Sequence, residues 1–184
     1  IDSNINGYYN VLEACKNFKI KRLIYASSSS VYGDSKKFPL KENHILQPNN
    51  TYSLTKKFNE DIAKIFNKYY KINMTGIRFF TIYGEWGRPD MFINKLIFSK
   101  LKKKTFFLNN FGNHFRDFTY VGDVVEILYK LIKTKKIPNN EVFNVCSNNP
   151  INLNYVIKLL QKQLGKTKIR KRALQKADVI KTHG

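Results

Sequence analysis

The chain has 184 residues, 42% of them hydrophobic, enough to bury a sizeable core. Its 33 basic and 13 acidic residues give a net charge of +20, and lysine supplies most of the excess, 27 against six arginines. No apolar run approaches the roughly 18 residues of a membrane span, two cysteines build no disulfide framework, and His44, His114 and His183 lack metal-ligand spacing.

In chain order, Ile5 to Phe18 has helical periodicity and Arg22 to Ser27 reads as a buried strand. Ser35 to Asn50, with Pro39 and Pro48, reads as a long loop. A helix from about Tyr52 to Tyr70 follows, marked by Leu54, Phe58, Ile62, Ile65, Phe66 and Tyr69, and then a strand from Met74 to Phe80. Thr81 to Pro89 reads as a glycine-containing loop, Met91 to Lys103 as a helix, and Thr105 to Leu108 and Arg116 to Thr119 as short strands. Val121 to Thr134 is an amphipathic helix, Val142 to Cys146 a strand, and Asn152 to Leu164 a helix closed by Gly165. Alternating strands and helices predict an α/β fold with a mostly parallel sheet.

The most telling stretch is Ser27-Ser28-Ser29-Ser30-Val31-Tyr32-Gly33, directly off the first strand, followed by Tyr52-Ser53-Leu54-Thr55-Lys56. Residues four apart share a helix face, so Tyr52 and Lys56 would point together at the carboxyl end of that strand, where open parallel sheets bind ligands. Tyr-x-x-x-Lys occurs three times, at Tyr32/Lys36, Tyr52/Lys56 and Tyr129/Lys133, so the spacing alone decides nothing. Gly33-Asp34 interrupts the first pair with a turn signal, and no serine-bearing strand end precedes the third. Only Tyr52/Lys56 has the context for moving a proton on a hydroxyl.

With these residues in place, the chain resembles the extended short-chain dehydrogenases/reductases of the NAD-dependent epimerase/dehydratase family, and among them most resembles the UDP-glucuronate 4-epimerases. The matching segments run in the family's order: 2–7, Tyr25 to Gly33, Tyr52 to Lys56, Arg78 to Gly84, Trp86 to Met91, Arg116 to Tyr120, and Phe143-Asn144-Val145. One motif is absent. Such enzymes open with a glycine-rich turn whose helix N-terminus holds the dinucleotide pyrophosphate, and no G-x-x-G-x-x-G occurs here. The expectation is therefore an internal piece of a longer enzyme: a Rossmann-like sheet without its glycine-rich half, plus part of a smaller C-terminal substrate domain. Residues 1–84 would belong to the dinucleotide-binding domain and 85–184 mainly to the sugar-nucleotide region, with 116–147 returning to the Rossmann sheet.

The resemblance implies NAD as cofactor and a UDP-sugar as substrate, with epimerisation at C4 through a 4-keto intermediate. It assigns catalysis to Ser28, Tyr52 and Lys56, and cofactor contacts to Ser3, Asn4, Tyr52, Lys56 and Phe79. Substrate contacts fall to Ser29, Ser30, Thr81, Arg88, Arg116, Gln175 and Asp178. An unperturbed phenol titrates near 10, so a phenolate at neutrality needs about 4 kcal/mol of help, which a nearby ammonium in a poorly solvated site supplies. Related dehydratases and decarboxylases carry an acidic residue where Ser29 and Ser30 stand, which disfavours elimination. UDP-galactose 4-epimerases usually carry Asn in place of Thr81, and Arg88 offers the planar fork that a carboxylate or phosphate prefers. The family also implies a homodimer through the 5–18 and 52–70 helices, while Cys15 and Cys146, read as buried free thiols, suit a cytoplasmic setting. The lysines are spread over many segments without zinc-finger or RNP-like motifs, so no nucleic-acid partner is expected.

Overall fold

The computed structural model describes residues 2–135, 137, 139–175 and 179–184. A π-helical turn (Asp2–Asn6) leads into α1 (Gly7–Asn17), β1 (Arg22–Ser28), a 3-10 turn (Ser29–Tyr32) and, after a long loop, α2 (Thr51–Tyr70). There follow β2 (Asn73–Phe79), β3 (Thr81–Tyr83), α3 (Phe92–Leu101), β4 (Phe106–Leu108) and a 3-10 turn (Asn109–Gly112). The chain continues through β5 (Phe115–Tyr120), α4 (Val121–Lys133), β6 (Glu141–Val145), β7 (Pro150–Asn152), α5 (Leu153–Leu164) and β8 (Ile169–Lys171).

The central sheet is parallel throughout, in the order β1-β2-β6. Its middle strand is buried on both faces from Met74 to Arg78, as a strand covered by helices must be. Gly76 sits opposite Tyr25, and a Cβ there would lie 2.7 Å from the Tyr25 hydroxyl oxygen, so only glycine lets that ring lie across β2. A second sheet joins β3 and β5 in parallel and β5 and β7 antiparallel; β4 and β8 form a separate parallel pair.

α1 and α2 pack one side of the central sheet through Leu12, Cys15, Tyr25, Ala63, Phe66, Ile72 and Met74. α4 packs on Ile77 and Val145 through Val124. The Arg22 guanidinium donates to the Leu131 and Thr134 carbonyls (2.5 and 2.9 Å), closing the C-terminus of α4 with the charge its dipole favours.

The structure corrects two sequence expectations, Thr81–Tyr83 and Cys146, and adds two features that the sequence reading left unassigned. Thr81–Tyr83, assigned to a loop, forms β3 because it lies beside Phe118 to Tyr120 of β5. The lysine-rich tail of the chain supplies β8, which pairs with β4. Cys15 is buried but Cys146 is only partly so. Within α2, the stripe Leu54, Phe58, Ile65 and Tyr69 that announced the helix points to solvent, while Ser53, Thr55, Asn59, Glu60, Ala63 and Phe66 are buried.

Charge is segregated along the fold. The segments 91–115 and 147–175 build α3, β4, α5 and β8; they carry twelve lysines and arginines and no acidic residue.

Candidate active site

The site lies at the carboxyl ends of β1 and β2, where Ser28 is in register with Phe79. Ser28 ends β1 and caps the following 3-10 turn. Its Oγ accepts from the Ser30 amide (3.2 Å) and from the Ser30 hydroxyl (3.0 Å). Both lone pairs are thereby engaged, which leaves the Ser28 proton for an outside acceptor.

The N-terminus of α2 is fixed by a reciprocal cap. The Asn50 side chain accepts from the Ser53 amide (2.9 Å), while the Ser53 hydroxyl meets the Asn50 amide (3.1 Å). This places Tyr52 in the first turn, where the helix dipole favours a developing negative charge. Lys56 follows one turn later, with Nζ 6.0 Å from the Tyr52 ring centre and donating to the Ala26 carbonyl at 3.0 Å. Burial holds the Lys56 ammonium below its ordinary pKa.

Ser28, Tyr52, Lys56 and Phe79 line one cavity of about 520 Å³, together with the loop from Gly84 to Arg88. A second cavity of about 510 Å³ holds Ser28, Ser29, Thr81, Lys95, His114 and Arg116. Ser28, Phe80 and Met91 belong to both, so the serine stands where the two volumes meet.

The other Tyr-x-x-x-Lys pairs lie elsewhere. Tyr32 is buried, its hydroxyl donating to Asn144 Oδ1 (2.7 Å), and Tyr129 is exposed on α4 beside Lys133.

The remaining sequence-named residues divide. Arg88 lines the first cavity, but its guanidinium makes a two-point contact with Asp90 (3.0 and 2.6 Å) and both side chains are exposed. Arg116 donates to the carbonyls of Phe115, Val179 and Ile180, so it also ties down the chain near residue 180. Beside it, fully buried Asp117 accepts from the amide and hydroxyl of Ser147 (2.8 and 2.7 Å). Ser30 does not line the tyrosine's cavity; it borders a smaller one with Arg116. Gln175 lies in a separate pocket with Phe38 and Lys181, and Asp178 falls outside the described residues. Asn4 donates to the Thr55 hydroxyl (3.1 Å) on α2, while Ser3 is exposed.

Sequence reasoning missed a buried polar network behind the site. Arg78 pairs with Glu60 through Nε (2.9 Å) and Nη2 (2.7 Å), and its Nη1 donates to the Tyr32 hydroxyl (2.7 Å). Ser27 Oγ donates to Glu60 at 2.5 Å. One available signal was an arginine, one of only six, inside a strand that Met74, Ile77 and Phe79 mark as buried.

The sequence profile of the NAD dependent epimerase/dehydratase family matches residues 1–146. The chain belongs to that family. It is 41% identical to Protein CapI of Staphylococcus aureus over 203 residues, covering all of this chain and 60% of that protein. Against UDP-glucuronate 4-epimerase 4 of Arabidopsis thaliana the identity is 37%, over all of this chain and 46% of that protein. The solved UDP-glucuronic acid 4-epimerase from Bacillus cereus, in complex with UDP-glucuronic acid and NAD, superposes with a TM-score of 0.93 at 30% identity. The match covers 100% of this chain and 59% of that one. The chain thus spans roughly half to three-fifths of the length of these relatives.

The residues present fit one end of a dinucleotide. The first cavity offers a half-buried ammonium, a phenol and the Phe79 ring beside the strand end. The 184 residues contain no glycine-rich turn for a pyrophosphate. No helix of the described residues is long and apolar enough to cross a membrane.

Proposed function

We propose that the protein carrying this chain is an NAD-dependent nucleotide-sugar 4-epimerase acting on a UDP-sugar, with UDP-glucuronate as the first candidate. The observation that carries this reading is the meeting of Ser28, Tyr52 and Lys56 in one cavity at the carboxyl end of β1. The Bacillus cereus enzyme, solved with UDP-glucuronic acid and NAD, supports the choice of substrate.

When bound, NAD supplies the redox chemistry by taking up and returning hydride. The chain's own residues handle the proton and the orientation. Tyr52 takes the proton from the sugar 4-hydroxyl as that carbon is oxidised and gives it back after the 4-keto sugar has turned over. Lys56 stabilises the phenolate by charge, and its bond to the Ala26 carbonyl fixes the ammonium against β1. Ser28, with its lone pairs engaged by Ser30, donates to the 4-oxygen as it becomes a carbonyl. Lys95 and Arg116, in the adjoining cavity, are placed to meet the anionic diphosphate. Ser29 and Thr81 line the same volume.

On this reading, residues 1–84 form the cofactor side and 85–184 mainly the substrate side. The pairing of β6 with β2 supports a return of the 116–147 segment to the central sheet. Exposed Tyr9, Val11, Leu54, Phe58 and Ile65 on α1 and α2 support a homodimer through those helices. The two free thiols suit a cytoplasmic setting.

A second reading, a neutral hexose in place of the glucuronate, is favoured by one observation: Arg88 already has a carboxylate partner in Asp90. The full-length enzyme incubated with NAD and either UDP-glucuronate or UDP-glucose, with products resolved by chromatography, tests both. Conversion of UDP-glucuronate to UDP-galacturonate is expected. Turnover of UDP-glucose alone would establish the second reading, and no epimerisation of either would overturn the function.

A further inference from the structure

α2 is fastened to β1 at two successive rungs. Lys56 donates to the Ala26 carbonyl, and one turn later Glu60 accepts from the hydroxyl of Ser27, the next residue along the strand. Ser28 follows directly. The residues that carry the proton chemistry and the residues that join helix to strand are therefore interleaved on both elements.

The second rung is built from charge. Glu60 is 1% and Arg78 4% exposed, and their contact is two-pointed. Arg78 reaches on to the Tyr32 hydroxyl and the Glu42 carbonyl, and Tyr32 to Asn144 of β6. The network thus crosses the central sheet from α2 through β1 and β2 to β6. Burial works against the Arg78 cation, but the Glu60 hydrogen bonds and charge outweigh it and hold its pKa above the ordinary value.

Such a pair is a poor way to gain stability, because the desolvation of two charges offsets most of their attraction; its best-attested use is to fix a register. Here an alternative register is easy to picture. The outward stripe of α2 (Leu54, Phe58, Ile65, Tyr69) is more apolar than the buried face around Ser53, Asn59 and Glu60. Ala63 and Phe66 also lie on the buried face, so hydrophobicity alone sets the rotation only weakly. The directional bonds of Glu60 select the observed rotation.

We propose that Glu60, held by Arg78 and Ser27, is a positioning residue: it sets the rotation and axial register of α2 so that Tyr52 and Lys56 face Ser28. The inference rests on the proposed roles of those three residues and adds one that touches no ligand.

The test uses the full-length enzyme. Glu60→Gln keeps the size and one acceptor but removes the two-point charged contact. The expected result is a kcat lower by about 10- to 100-fold, the scale of a catalytic group misplaced by about 1 Å. KM for the UDP-sugar should stay within about threefold, because no ligand contact is lost. If Glu60 acts through Tyr52, the same substitution in a Tyr52→Phe background should cost less than about threefold more. Unchanged kcat, or an equal loss in both backgrounds, overturns the proposal.

If Glu60→Gln does not fold, Ser27→Ala leaves the Glu60–Arg78 pair intact and removes one donor. A kcat loss of about 3- to 10-fold at unchanged KM is expected from the looser register, and no loss overturns the proposal. Near-normal turnover of Tyr52→Phe itself would instead refute the assignment of Tyr52, an outcome distinct from either.

Discussion

Arg88 and Asp90 hold one another through two hydrogen bonds, two residues apart on an exposed loop at the mouth of the tyrosine's cavity. An arginine so engaged must exchange one carboxylate for another to bind an acidic sugar. Arg88→Ala should then weaken UDP-glucuronate by roughly 10- to 100-fold, as for a lost charge-assisted bond, and leave UDP-glucose nearly untouched. Asp90→Asn, which frees the guanidinium, should tighten UDP-glucuronate alone. Titration of both sugars against each variant checks this, and equal losses for both sugars would place Arg88 on the shared UDP.

Tyr52→Phe in the full-length enzyme should leave NAD and UDP-sugar binding intact while kcat falls by about 10²- to 10⁴-fold, the usual worth of a positioned acid–base group. Tyr129→Phe, on the exposed face of α4, should change little. Steady-state kinetics on the two variants, with binding measured by calorimetry, separates them.

The 184-residue chain on its own should show neither saturable binding at micromolar NAD nor turnover. It offers a phenol, an ammonium and an aromatic ring but no backbone cradle for a pyrophosphate. Among the described residues β1 pairs only with β2, which leaves its other edge open there, and concentration-dependent aggregation is expected as well. Calorimetry and light scattering on the purified chain decide both points.

The acid-free segments contribute the Lys95 side of the second cavity, and the proposed anionic sugar nucleotide would meet their field before it meets any contact. Rising salt should therefore lower kcat/KM more than kcat, most steeply while the screening length shrinks from about 30 to 8 Å. Replacing Lys102, Lys103 and Lys104 with glutamine should flatten that dependence at unchanged kcat. Kinetics from about 10 to 150 mM salt, the range those two lengths span, provide the measurement.

Burial raises the pKa of Tyr8, Tyr25 and Cys15, which pack together between α1, β1 and α2. A folded-state pKa above the unfolded value contributes stability that is complete below the unfolded pKa and lost as pH climbs toward the folded one. The unfolded values are about 8.5 for cysteine and 10 for tyrosine, so melting temperature should fall as pH rises above about 9. Thermal scans against pH, with phenolate absorbance followed in parallel, should show these two tyrosines ionising only as the chain unfolds.

The class of fold and the meeting of the candidate residues Ser28, Tyr52 and Lys56 were legible because both rest on local pattern. A strand running into a serine turn, and a tyrosine and lysine one turn apart, need only the parallel-sheet rule to be brought together. α2 shows the limit of that reasoning: its periodicity revealed the helix and concealed its orientation, because apolar residues lie on both faces and Glu60 is buried on the inner one. Glu60 and Arg78 are 18 residues apart on different elements, so their pairing exists only once the topology does. β3 and β8 were missed for a similar reason, since three-residue strands owe their form to a partner strand and not to their own composition.

The separation of charge within the chain also limits how copies of it can associate. Two copies of the acid-free segments brought together at low salt would repel, whereas α1 and α2 alternate both signs in Glu13–Lys16, Lys57–Asp61 and Asp61–Lys64. A symmetric pair sets identical surfaces against each other, so the proposed homodimer is disfavoured through the acid-free segments and better served where positive and negative groups are mixed.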